Sequence, residues 1–264
     1  MSDLDEIDAS RAPLLDHLIE LRRRLLYCIV AIALAFGVSM YFSEAIFGFL
    51  AKPLLKAGQG TLVYTQIFEA FFVQVKVSFF AAMMISFPVI ANQLWQFVAP
   101  GLYRKEKKAL LPFLLATPVL FLMGAAMAYY IAIPMALHFL LGFDGMVGGV
   151  KREALPAIGN YLSFVMQFLF AFGLAFLLPV LLMLLERAGI VTRKQLIAAR
   201  RYAIVAATAV AAVLTPPDLM SQVLLAVPLI ILYELAIIGI WFTERARSKQ
   251  AAIESDEEEA DAAA

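Results

Sequence analysis

Residues Tyr202–Glu234 read YAIVAATAVAAVLTPPDLMSQVLLAVPLIILYE, two uncharged apolar stretches either side of Thr215-Pro216-Pro217-Asp218. The first, Tyr202–Pro217, holds 16 residues, and 15 more lie between Asp218 and Glu234. Pro216 and Pro217 remove backbone donors and clash with the preceding turn, so no helix continues through them. At 1.5 Å per residue the first stretch reaches about 24 Å, against about 30 Å of hydrocarbon in a bilayer. The segment predicts two short helices joined by a tight turn. They either cross a locally thinned bilayer or form a re-entrant hairpin. Both arrangements return the chain to the side it left.

Four longer apolar runs precede this hairpin: Leu25–Phe42, about 70–97, Ala109–Leu137 and Tyr161–Leu185. The third exceeds a straight crossing, which predicts tilt or kinking at Pro112, Pro118 or Pro134. The fourth carries Pro179 in its second half. The Arg22–Arg24 cluster ahead of the first run mimics a signal peptide. That run has 18 uncharged residues and no clean small-x-small cleavage site, so it reads as a retained span.

Lysine and arginine fix the expected direction. Sixteen fall on one side: Arg11 and Arg22–Arg24, then Arg104, Lys105, Lys107 and Lys108, then Arg187, Arg193, Lys194, Arg200 and Arg201, then Arg245, Arg247 and Lys249. The other side holds Lys52, Lys56, Lys151 and Arg152, with Lys76 at its edge. The positive-inside rule places both termini in the cytoplasm. The expected fold is all-α, a polytopic membrane protein with six transmembrane helices, of which the fifth and sixth are short. Its expected divisions are a cytoplasmic segment 1–24, a transmembrane domain 25–242 and an acidic disordered cytoplasmic tail 243–264.

Composition agrees. Of 264 residues, 63% are hydrophobic and 16% charged, with mean hydropathy +0.85, far from the balance of a soluble domain. The 21 basic and 21 acidic residues cancel, which excludes nucleic-acid binding through bulk positive charge. One cysteine, Cys28, excludes a disulfide scaffold. No HExxH is present, and no nucleophile sits beside a histidine base. No ligand cluster suggests a metal or cofactor. The chain therefore reads as a non-enzyme.

Outside the spans, Leu14, Leu18, Leu21 and Leu25 share one face of an expected amphipathic helix over Pro13–Leu25. On residue chemistry alone, Glu20 reads first as the i,i+4 partner of Arg24. Charged groups at bilayer depth are functional candidates because they are costly there. They are Glu69 and Lys76 near the outer edge, Glu186 near the inner edge, Asp218 at the outer tip, and Glu234. For Glu234, an interface anchor and an interior role stay equally open. Gln93, Gln167 and Gln222 are candidates for bonds between helices. A secondary transporter of a small solute is the competing function class, because proline-rich spans can form broken helices around a midplane site. No internal repeat supports it.

Several blocks carry more than their physics. They are His17-Leu18-Ile19-Glu20-Leu21-Arg22-Arg23-Arg24-Leu25, Phe87-Pro88 with Gln93-Leu94-Trp95-Gln96-Phe97-Val98-Ala99-Pro100-Gly101-Leu102, and Glu106 four residues on. Tyr161-Leu162-Ser163-Phe164, Phe172-Gly173-Leu174-Ala175-Phe176 and Leu214-Thr215-Pro216-Pro217-Asp218 followed by Ser221-Gln222 continue the pattern. From about residue 13 to 242, in order, these resemble the TatC subunits of the twin-arginine protein translocase. The resemblance implies six helices in a curved, glove-like wall in the bacterial cytoplasmic (inner) membrane. It implies a receptor core that binds Arg-Arg signal peptides of folded cargo and starts their export, powered by the proton-motive force. Implied partners are single-span TatA-type and TatB-type subunits and further copies of the chain within a receptor complex.

Residue by residue, the resemblance implies that Glu20 and Glu106 are recognition carboxylates, with Arg22 and Phe97 beside them. It makes Pro53 a sensitive position of the first outer loop, and Asp218 and Gln222 functional polar positions of the last hairpin. One departure stands out. The family commonly has Phe-Glu-x-Pro in its fourth helix, where this chain has Phe176-Leu177-Leu178-Pro179. No role for that buried carboxylate carries over to Leu177.

Overall fold

A computed structural model gives the backbone of residues 3–102, 107–143, 145–147, 150–152, 155–215 and 219–262, and the side chains of 18–97, 114–143, 155–215 and 219–245. Its helices are α1 (Asp3–Tyr41), α2 (Ser43–Lys56), α3 (Glu69–Leu102), α4 (Lys107–Met127), α5 (Ile133–Leu141), α6 (Ile158–Ala175), α7 (Leu178–Arg187), α8 (Arg193–Ala198), α9 (Arg200–Leu214) and α10 (Leu219–Ala262). A small antiparallel hairpin, β1 (Gly145–Val147) with β2 (Val150–Arg152), sets Met146 opposite Lys151 between α5 and α6.

Among the described residues, five segments are long and apolar enough to cross a membrane: Leu18–Tyr41, Glu69–Phe97, Leu114–Leu141, Ile158–Arg187 and Leu219–Arg245. Large apolar side chains such as Leu34, Val38, Val119, Leu181 and Val213 lie more than half exposed. That pattern suits helices whose solvent is hydrocarbon. The fifth of the six expected crossings, α9, has 15 residues and a length of about 22 Å, too short for a straight span.

The last helix departs from expectation. It runs past Glu234, whose carboxylate accepts a 2.7 Å hydrogen bond from Arg200 Nη2 at the start of α9. Its apolar part, Leu219–Arg245, has 27 residues, longer than the short last helix expected. The helix also runs on through the alanine- and glutamate-rich end, where composition led us to expect disorder. Alanine and glutamate are both good helix formers.

Of the three prolines in the third run, Pro134 sits at a distortion. Ala128–Ala132 forms a π-turn immediately ahead of it, which accommodates the missing N–H and the crowded carbonyl four residues earlier. In the fourth run the helix breaks between Ala175 and Leu178, with Leu177 as N-cap and Pro179 in the first turn of α7.

The chain divides into two compact units. The first comprises 1–119 with 133–166. In it α1 packs along α3, and α2 is laid against α3 and α5, around buried Leu50, Leu54, Val77, Ile133 and Val165. The second comprises 120–132 with 167–264. Its core holds Phe121, Phe168, Phe172, Leu225 and Ile240, with α10 packed on α7 and α9.

Candidate functional site

Glu20 lies on α1 at the start of the first spanning segment, one turn before Arg24. It is the carboxylate partner of Arg24, whose Nε lies 3.1 Å from Glu20 Oε1 and whose Nη2 reaches the same oxygen. Arg24 Nη1 donates at 2.9 Å to Gln96 Oε1 on α3, and Gln96 Nε2 in turn donates to Asn92 Oδ1. All three guanidinium nitrogens are engaged, two on the carboxylate and one on the amide. This clamps α1 to the far end of α3.

Around the pair lies a groove of about 360 Å³ lined by Ile19, Glu20, Arg23, Arg24, Tyr27, Gln93 and Gln96. Arg23 stacks over the Tyr27 ring at 5.7 Å, so the cations and the acid share one small surface. The Glu20 side chain is 36% exposed and Arg24 17%, which leaves the carboxylate approachable from outside. Next to Gln96 on α3, Trp95 Nε1 donates at 2.8 Å to the buried Thr117 Oγ1 and fixes that helix end against α4.

Of the expected site residues, Arg22 is exposed on α1 and Phe97, next to Gln96, is half-buried. Glu106 and Asp218 lie outside the described residues. Pro53 is buried near the end of α2. Lacking an N–H, it cannot bond back to the Phe49 carbonyl. The adjacent Leu50 carbonyl receives Tyr161 OH at 2.8 Å, tying this turn to α6. Gln222 on α10 reaches the Thr208 carbonyl of α9 at 3.4 Å, a bond between helices of the kind its position suggested. Gln96 was missed as a site residue. Its spacing from Gln93 put both on one helix face, but its partner Arg24 is 72 residues away.

At the start of α3, Glu69 gathers four donors. Its Oε2 accepts from Thr65 N at 2.5 Å, Thr65 Oγ1 at 2.9 Å and Gln66 N at 3.2 Å, and its Oε1 from Gly159 N at 2.9 Å. Two turns on, Lys76 Nζ donates to Ser163 Oγ at 2.7 Å. Glu69 and Lys76 of α3 therefore stitch the loop between α2 and α3 to the start of α6.

These features define a multi-pass helical membrane protein that presents a carboxylate–guanidinium groove and, among the described residues, no group of His, Cys, Asp or Glu able to hold a metal. The family model described as Sec-independent protein translocase protein (TatC) matches residues 16–228. A TatC of Magnetococcus marinus is 47% identical over 253 residues, spanning 95% of this chain and 92% of its own. The Escherichia coli K12 TatC is 40% identical over 233 residues, 88% of each chain. A crystal structure titled twin arginine translocase receptor TatC superposes with TM-score 0.74 at 40% identity, over 84% of this chain and 96% of that one. The chain belongs to the TatC family of Sec-independent protein translocase proteins. It is a protein-transport component of the bacterial inner membrane and not an enzyme.

Proposed function

We propose that this chain is the receptor core of a twin-arginine translocase, in which Glu20 and Glu106 together read the paired arginines of signal peptides on folded cargo. The observation that supports the reading is the Glu20 carboxylate. It sits half-exposed in a groove and already takes a guanidinium fork, with a glutamine amide placed for the remaining nitrogen. Arginine presents a planar fork, whereas lysine is a point charge, so such a surface selects Arg-Arg over Lys-Lys. Arg22 and Phe97 flank it. In this reading both termini and residues 1–24 and 243–264 are cytoplasmic, and six helices within 25–242 cross the membrane, α9 through a thinned region. Pro53 shapes the outer loop. Asp218 and Gln222 belong to the hairpin offered to TatA-type and TatB-type partners, within a complex holding further copies of the chain.

The test is site-specific crosslinking of an Arg-Arg signal peptide to the full chain in membranes, at matched protein abundance. Crosslinking should fall in Glu106→Ala and fall further in the Glu20→Ala/Glu106→Ala double variant. The same variants should fail to restore export of a folded Arg-Arg reporter to a strain lacking its own receptor subunit. Unaltered crosslinking in the double variant overturns the assignment.

A further inference from the structure

A second groove, in the other compact unit and remote in sequence from Glu20, is built from Thr192, Arg193, Lys194, Trp241, Glu244 and Arg245 and encloses about 620 Å³. It carries three cations and one acid. Arg193 Nη1 lies 3.6 Å from Glu244 Oε2, which fixes the α8 side to α10 and leaves the groove with a positive balance. The Arg245 guanidinium stands 5.6 Å over the Trp241 ring, and Trp241 packs against Phe242 at 4.8 Å between centroids. Both rings are exposed.

Trp241 and Arg245 lie where the apolar run of α10 gives way to the charged stretch Glu244, Arg245, Arg247 and Lys249. Tryptophan and arginine at the end of a span sit at headgroup depth, the ring in the interface and the cation reaching the phosphate layer. On α9, which pairs with α10, the arrangement repeats, with Arg201 standing 4.7 Å over the Tyr202 ring. A groove that combines cations with an exposed aromatic floor, at that depth, matches a ligand with a phosphate at one end and a glycerol and acyl chain at the other.

We propose that this groove binds the headgroup of an anionic phospholipid, with Lys194 and Arg245 on the phosphate and Trp241 beneath the glycerol. A phosphate could also arrive as the free ion. The ion, however, gains nothing from the aromatic floor, whereas a lipid does. A zwitterionic lipid brings the same phosphate together with a cation that the groove repels.

The experiment uses the full-length chain in detergent, with bound lipid counted by native mass spectrometry during titration with phosphatidylglycerol or phosphatidylcholine, and in competition with inorganic phosphate. Phosphatidylglycerol should be retained and phosphatidylcholine largely lost, and millimolar phosphate should not displace the bound lipid. At about 1 kcal/mol per interfacial cation, Lys194→Gln should weaken phosphatidylglycerol binding about fivefold and Lys194→Gln/Arg245→Gln about 25-fold. The exposed Lys194→Gln change keeps the test valid if the double variant fails to fold. Lys52→Gln/Lys56→Gln, equal in charge and far along the chain, should leave binding unchanged. Equal retention of the two lipids overturns the proposal, as does displacement by free phosphate or an equal loss in the Lys52/Lys56 variant. Wild-type affinity in Lys194→Gln/Arg245→Gln does so too.

Discussion

Adding one methyl group at Gly173 or Gly124 should destabilise the chain, while the same change at Gly37 or Gly48 should not. A Cβ built on Gly173 meets the Phe121 ring at 2.6, 2.8 and 3.0 Å, whereas carbon atoms in contact settle at about 3.5–4.0 Å. The ring must retreat by about 1 Å. It has nowhere to go, because Phe121 is fully buried with its edge against Phe170 at 6.3 Å between centroids. At Gly124 the added atom strikes the Phe172 carbonyl and lies 2.9 Å from Phe176 Cγ, so backbone and not only a side chain must move. Lipid tails are as apolar as the helices themselves, so close packing through small residues holds such helices together.

Overpacking costs about 1–3 kcal/mol, and replacing a helical glycine by alanine returns about 0.5–1 kcal/mol. Gly173→Ala should therefore lose about 0–2.5 kcal/mol net, and Gly124→Ala should lie at the upper end of that range. Gly37 and Gly48 have nothing within 4 Å of the built Cβ, so alanine there keeps only the helix gain. Thermal unfolding in detergent reads this out, at about 2–4 °C per kcal/mol for a chain of this size class. Trimming the obstacle completes the argument. In a double-mutant cycle, Gly173→Ala and Phe121→Leu should couple favourably by about 1 kcal/mol, because the shorter side chain vacates the space the methyl needs. If Gly173→Ala and Gly124→Ala melt like Gly37→Ala, or if the cycle shows no coupling, the packing argument is wrong.

Two further outcomes follow from Tyr161 and Glu69. Tyr161→Phe deletes the 2.8 Å bond to the Leu50 carbonyl, so the melting temperature should drop by the equivalent of about 1 kcal/mol and Asn or His at 161 should not restore it. Glu69→Ala leaves the amides of Thr65, Gln66 and Gly159 without their acceptor, so hydrogen exchange at those amides should accelerate while exchange in α10 stays unchanged. Uniform acceleration along the chain would instead mean global destabilisation.

Local chemistry made much of this fold readable. The apolar runs, the Thr215-Pro216-Pro217 stop to α9 and the Glu20–Arg24 pair all depend on residues within a few turns of one another. Features decided by distant partners were not readable. Glu234 left an interface anchor and an interior role equally open because Arg200, which pairs with it, lies 34 residues back. Pro112, Pro118 and Pro134 were equivalent as kink sites, and the π-turn formed at the last. At the site, the carboxylate was legible and the Gln96 amide was not, since helix periodicity says which residues share a face but not which face of α1 they meet. Leu177 shows the same limit from the other direction. Its identity was noticed only against the family pattern, and its place as N-cap of α7, where the fourth span breaks, came from the fold.

On the proposed reading, the resident Arg24 explains why a carboxylate in a basic cluster would select cargo more than it holds it. An incoming arginine takes a position on Glu20 that a guanidinium already fills, so it exchanges one ion pair for another of nearly equal strength. Exposed pairs contribute only about 0.2–1 kcal/mol, and the exchange leaves a fraction of that. What does not cancel is geometry. Arg24 spends two nitrogens on Glu20 and the third on Gln96, a pattern that a lysine ammonium on a flexible stem cannot reproduce. A lysine would therefore displace a satisfied partner and leave the amide behind, losing on both counts. Affinity must come from elsewhere, and the apolar wall of the same groove supplies a surface for it: Ile19, which lines the groove next to Glu20, stands 65% exposed, open to the hydrophobic stretch that follows a signal's arginines. Selection by exchange at the carboxylate and retention by apolar burial next to it would let the receptor reject wrong signals without holding the right ones too tightly to release.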